Sequence, residues 1–140
     1  MTANYKILGK YIKDMSSETP NVETFLFVKD NLSKYQLNID ITSKALKDKI
    51  VEINTTLKFE DREARERKSF FEIVYATIIK VSDEVKEKEQ LQKIILCDVQ
   101  KEIYPNLETS FINLLTDSGY PGIKLDKKID FDKLYSQKFN

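Results

Sequence analysis

Histidine is absent from the 140 residues, and Cys97 is the only cysteine. Those two counts remove the commonest general base, the commonest zinc ligand and every Ser–His or Cys–His nucleophile arrangement. Cys97 cannot close an internal disulfide, which fits a reducing compartment. It sits beside an apolar helical stripe, with no evident cationic pocket to lower its pKa, so burial rather than reactivity is expected of it. Three glycines in the whole chain leave little room for a phosphate-cradling loop. Carboxylates are plentiful, but no pair stands out as an acid–base couple. Asp14 and Glu18, four apart, read by themselves as solvated side chains. The inventory argues against an enzyme and offers no ligand set for a metal or cofactor.

Charge narrows the partners further. Lysine plus arginine and aspartate plus glutamate balance at 23 each. No net field draws in nucleic acid or an anionic membrane. The composition, 41% hydrophobic and 33% charged, is that of a folded chain. The length suits one domain over residues 1–140. No apolar run approaches the ~20 residues of a membrane helix. The opening residues lead into a strand and not into a signal-peptide core, so the cytoplasm is the expected location.

The elements follow from periodicity. Tyr5, Ile7, Gly9 and Tyr11 alternate with Lys6, Leu8, Lys10 and Ile12, giving a first strand over about 4–15. Residues 16–35 read as a long connection containing Phe25-Leu26-Phe27-Val28. Leu37, Ile39 and Ile41 mark a second strand. Val51, Ile53, Thr55, Leu57 and Phe59 mark a third. The mixed charges from Asp61 to Lys68 read as a solvated hairpin loop. Residues 69–81 form a fourth strand, apolar on both faces and so expected to be covered on both, by the chain's own helices or by a second subunit. From Ser82, a candidate N-cap, a helical stripe runs through Leu91, Ile94, Ile95, Val99, Ile103, Leu107, Phe111, Leu114 and Leu115 to a stop at Gly119. Pro105 should kink or split it. After a Tyr120-Pro121-Gly122 turn, a short terminal helix capped by Asp130 carries Phe131, Leu134 and Tyr135. The order specifies an α+β fold, a four-stranded antiparallel sheet with a long helix and a short C-terminal helix packed on one side.

Two stretches carry a family resemblance. The first is Tyr11-Ile12-Lys13-Asp14-Met15-Ser16-Ser17-Glu18-Thr19-Pro20-Asn21, continued by Lys29-Asp30. The second is Gly119-Tyr120-Pro121 followed, after a spacer, by Ile129-Asp130-Phe131-Asp132-Lys133-Leu134-Tyr135. Together they resemble the SecB family of protein-export chaperones, whose element order is the same. The resemblance implies a homotetramer, built as a dimer of dimers, that holds unfolded preproteins and delivers them to the SecA translocation motor. A SecB-like chaperone dedicated to an antitoxin or other single client is the alternative.

The resemblance also assigns residues. Asp14 and Glu18 match acidic positions that face SecA in the family. Phe25, Leu26, Phe27, Val28, Leu32 and Tyr35 are candidates for one wall of an apolar client-binding groove; the competing reading is a loop packing its own satellite core. Tyr120, Ile129, Phe131 and Tyr135 are candidates for the opposite wall, with docking of the terminal helix on the sheet as the competing reading, above all for Phe131 and Leu134. The chain differs from the family pattern at Asn31, where relatives carry Trp, at Pro105-Asn106-Leu107-Glu108, and in its zero net charge. It ends at Asn140 without the family's polar tail, which leaves the acidic surface to carry most of the motor contact.

Overall fold

The computed structural model describes residues 4–63, 67–123, 125 and 129–139. Residues 64–66 of the charged hairpin loop lie outside the described residues. Four strands, β1 (Tyr5–Glu18), β2 (Gln36–Ala45), β3 (Ile50–Glu60) and β4 (Phe70–Val81), form one sheet in the order β1-β4-β3-β2. All neighbours are antiparallel. The helices are α1 (Val22–Asp30), α2 (Lys88–Lys93), α3 (Val99–Asp117) and α4 (Phe131–Phe139), with a wide π turn at Ile94–Asp98 joining α2 to α3. The α+β class and its arrangement follow the expectation.

The core lies between one face of the sheet and the long helix. Val51, Ile53, Leu57 and Phe59 of β3 and Phe71, Ile73, Ile79 and Val81 of β4 point into it. Val99, Ile103, Leu107, Phe111 and Leu115 of α3 recur every four residues and have no exposed surface. That spacing keeps one helix face on the sheet over the whole of α3. Its two ends are fixed to β1: Tyr5 donates to Glu102 Oε2 at 2.6 Å, and the Ser17 and Ser118 hydroxyls share a hydrogen bond of 2.6 Å. On the other sheet face Phe70, Val74 and Ile78 of β4 stay half-buried.

Four local expectations change. First, the connection after β1 contains α1. Pro20 ends the strand, and Asn21 then caps a helix, its side chain accepting from the Thr24 N–H at 2.9 Å. Four consecutive apolar residues carry no visible period, so the helix was hidden. Second, the long helix begins at Lys88 and not after Ser82. The Ser82 hydroxyl accepts from Glu84 N in a turn, while Gln90 Oε1 accepts from the N–H groups of Lys86 and Glu87 at the true start.

Third, Pro105 does not split the helix, because α3 runs unbroken through it. Pro105 and Lys101, whose carbonyl loses its partner there, both lie on the exposed side, where water reaches the freed oxygen. The irregularity falls instead at the π turn. Gln100, fully buried, donates from Nε2 to the Ile95 carbonyl at 3.1 Å and accepts from Thr55 Oγ1 of β3 at 2.9 Å. A carbonyl at the wide turn thereby gains a side-chain partner that also joins helix to sheet. Fourth, β1 is longer than read and has two register shifts, between Ile7 and Gly9 and between Ile12 and Asp14.

Candidate functional site

The chemistry-bearing residues are held as structural ties. The Cys97 thiol donates to Asp132 Oδ1 at 2.9 Å, and Lys101 Nζ bonds Asp132 Oδ2 at 2.9 Å. Burial, then the neighbouring Asp132, pushes the thiol pKa up, so the nucleophilic thiolate is disfavoured. Bonds from Cys97 and Lys101 pull the Asp132 carboxyl below its ordinary value. The trio fastens α4 to the π turn. Among the described residues, no three or more acidic or cysteine side chains are grouped to hold a metal ion. A cleft of about 470 Å³ on the outer sheet face is lined by Asn38, Asp40, Thr56, Lys58, Arg62 and Glu72, a mixed-charge lining unlike an apolar cofactor pocket.

The apolar candidates divide by position. Val28, Tyr35 and Tyr120 are buried. Phe25 and Leu32 pack half-buried against them. Phe25 stacks on Tyr120 at 5.2 Å, Tyr120 meets Phe71 edge-on at 5.6 Å, and Tyr35 lies 5.3 Å from Phe59. Gly119 permits the stack: its φ is +104°, and a Cβ there would stand 2.5 Å from Phe25 Cε1. Leu26 and Phe27 face the opposite way and remain 55% and 38% exposed. Val22, one turn before Leu26, is 63% exposed. Sequence reasoning missed Val22 because it lies outside the consecutive apolar run; the Asn21 cap is what could have placed it on a helix beside Leu26.

Tyr120 and Phe25 thus meet at the C-terminal end of α3. Tyr135 does not join them: its hydroxyl donates to the Glu89 carbonyl at 3.4 Å, at the opposite end of the helical layer. Ile129 is half-buried just before α4, and Phe131 is buried against Tyr104, ring centres 5.5 Å apart. Asp130 caps α4 as expected, accepting from Lys133 N at 3.1 Å.

The acidic candidates lie on the outer sheet face. Asp14 pairs with Val74 and Glu18 with Phe70, and Glu72 lies between them opposite Ser16. Paired residues share a face, so the register groups three carboxylates at this corner. Asp14 and Glu18 are exposed. Glu72 is partly balanced by Lys58 at 3.5 Å. Further along the same strand, Leu8, Tyr11, Ile12 and Met15 are exposed large apolar side chains on a sheet edge. The register shift between Ile7 and Gly9 moves Tyr11, opposite Ala76, off the face that Tyr5 and Ile7 share, which uninterrupted alternation does not foresee.

No helix among the described residues is long and apolar enough to cross a membrane. The family described as preprotein translocase subunit SecB matches residues 1–140. The chain is 59% identical over its full length to the putative protein-export protein SecB of Pelagibacter ubique, covering all of that protein. It is 27% identical to the protein-export protein SecB of a Bradyrhizobium species, over 94% of this chain and 79% of the relative. Among solved structures, the fold is similar to the SecB-like chaperone of Mycobacterium tuberculosis in complex with a ChAD peptide from the HigA1 antitoxin. The TM-score is 0.67 at 11% identity, covering 90% of this chain and 88% of that one. A four-stranded sheet backed by one long helix, chemistry-bearing side chains used as ties, and a family match from end to end lead to one conclusion: this chain belongs to the SecB family, whose members are chaperones and not enzymes.

Proposed function

We propose that this protein is a cytoplasmic export chaperone that holds unfolded preproteins and passes them to the SecA motor. The observation that carries the reading is α1, apolar on both faces: Thr24 and Val28 are buried beneath it, while Val22, Leu26 and Phe27 stay open. An exposed apolar helix face has a use when it receives apolar segments of another chain. Phe27 supplies contact area at low entropy cost. The Phe25–Tyr120 stack supports the wall from behind, so the candidate residues Phe25, Val28, Leu32, Tyr35 and Tyr120 act through the position of α1. Ile129 and Tyr135 belong to a second apolar region around α4.

Asp14 and Glu18, beside Glu72 on the outer face, are proposed as the SecA contact. The exposed edge β1, with Leu8, Tyr11, Ile12 and Met15, is proposed as subunit interface in a homotetramer, since open apolar strand edges invite pairing. The export reading draws on the Pelagibacter and Bradyrhizobium relatives, both of which are described as protein-export proteins. A chaperone dedicated to an antitoxin or other single client is the alternative; the similar SecB-like chaperone of Mycobacterium tuberculosis is seen in complex with an antitoxin peptide.

Native mass spectrometry decides between them when run on the protein alone, with a reduced and alkylated polypeptide that cannot fold, and with SecA. The export reading expects a tetramer, a tetramer–polypeptide complex and a ternary complex with SecA. A tetramer that captures the polypeptide but ignores SecA would shift the reading to the dedicated chaperone. Failure to capture any non-folding polypeptide would remove the holdase reading.

A further inference from the structure

We propose that Ser69 is the positioning residue of the client-binding wall. This rests on the reading of α1 as that wall. α1 has nine residues and buries little of its own surface, and helices shorter than ~12–15 residues are marginal by themselves. Its placement therefore rests on its flanks as well as on Val28 and the Phe25 ring. The chain enters α1 through Thr19 and Pro20 and leaves through Tyr35, and both flanks are tied to Ser69. The Thr19 and Ser69 hydroxyls share a hydrogen bond of 2.8 Å. The Tyr35 hydroxyl donates to the Ser69 carbonyl at 3.0 Å and accepts from the Ser69 N–H at 2.8 Å. The Ser69 hydroxyl also meets Tyr120 Oη at 3.2 Å, and Tyr120 carries the Phe25 ring.

Ser69 has no exposed surface, and it stands just outside the sheet. The ladder starts one residue later, with Glu18 opposite Phe70 and Phe59 opposite Phe71. Its backbone groups are therefore spare, and Tyr35 takes both. One residue binds the segment before α1, the segment after it and the platform under it, without being part of the ladder. A buried, fully partnered polar network of this kind fixes one geometry, because each member left unpaired is strongly penalised. The sheet and α3 are held by other contacts.

The test uses the full chain in two variants, Ser69→Ala and Thr19→Val, with Thr19→Ser as the conservative control that keeps the hydroxyl. Hydrogen exchange is measured along the chain, together with dissociation of a reduced and alkylated polypeptide. Losing the Thr19–Ser69 bond, which both variants remove, should speed exchange across α1 roughly tenfold, leave β4 and α3 amides at their original rates, and hasten polypeptide release. Thr19→Ser should restore both readouts. Equal acceleration in β4 and α3 would make Ser69 a general structural residue and overturn the proposal. Unchanged exchange in α1 would overturn it as well. A loosened α1 with unchanged release would instead refute α1 as the client wall, and the inference would fall with that reading. If Ser69→Ala does not fold, the Thr19 pair alone decides.

Discussion

α3 and α1 are built from similar residue types and treat them in opposite ways. α3 keeps a stripe of Val99, Ile103, Leu107, Phe111 and Leu115, four apart on one face, wholly out of water, with Tyr104, Ile112 and Leu114 half-buried beside it. α1 sets apolar residues on both faces and buries only the inner set. The helix with the clean stripe is an internal support. The helix with the ambiguous pattern is where apolar surface remains available, and hydrogen bonds at its flanks add to the packing of its inner face. On the proposed reading, the surface offered to other chains lies where local amphipathicity fails.

The comparison is broken most decisively at the core. Leu107→Ala should cost about 2–5 kcal/mol of unfolding free energy, read from a urea transition, because it opens a cavity under α3. Leu26→Ala on α1 should change stability by no more than about 0.5 kcal/mol. Tyr35→Asp belongs with Leu107: it buries an unpaired carboxylate and strips Ser69 of two hydrogen bonds, so cooperative melting should be lost. Equal, small effects at all three positions would mean that the two helices do not differ as described.

Next in size is capture. Phe27→Asp should keep the melting transition and weaken binding of a non-folding polypeptide about tenfold or more, since a carboxylate must be desolvated when an apolar segment covers it. A collapsed melting transition in this variant would show the outer face of α1 to be packed after all.

A smaller effect is expected at the acidic corner. The double variant Asp14→Lys, Glu18→Lys should leave melting and polypeptide capture near their original levels and abolish SecA binding. In the unaltered protein SecA binding should weaken as salt shortens the Debye length toward ~8 Å. Unchanged SecA affinity would separate this corner from any motor contact.

The smallest effect is the pH response of α4. Asp132 is pulled below its ordinary pKa, so its contribution is present above about pH 4 and is lost as pH falls through the lowered value. Cys97 is raised, so its contribution is complete below about pH 8.5 and is lost as pH climbs toward the raised value. Amide protection in α4, measured against the intrinsic exchange rate at each pH, should therefore be greatest between these limits, while that of α3 stays flat. A flat α4 profile would show that the Cys97–Asp132–Lys101 tie does not hold the helix.

The strands were legible in the sequence because a period of two is short and local: β3 reads Val51, Ile53, Thr55, Leu57 and Phe59 with no tertiary help. The long stripe was legible for the same reason at period 3.6. The start of the helix was not, because Ser82 and Glu87 both present plausible caps and only the path of the chain after β4 chooses between them. Four consecutive apolar residues at 25–28 fit any period, so neither α1 nor its two faces could be read from them.

By itself the sequence determined the α+β class, the absence of histidine chemistry, and the two terminal stretches that carry the family resemblance. Only the tertiary structure decided which apolar residues are core and which are surface. Val28, Tyr35 and Tyr120 went inside, while Val22, Leu26 and Phe27 stayed out. The reason is physical. Burial is set by what packs against a side chain, and the partners here are far away in the chain: Tyr35 meets Ser69 34 residues on, and Ser69 meets Tyr120 51 residues further. No local pattern encodes a contact whose other half is placed by the folding of a whole sheet.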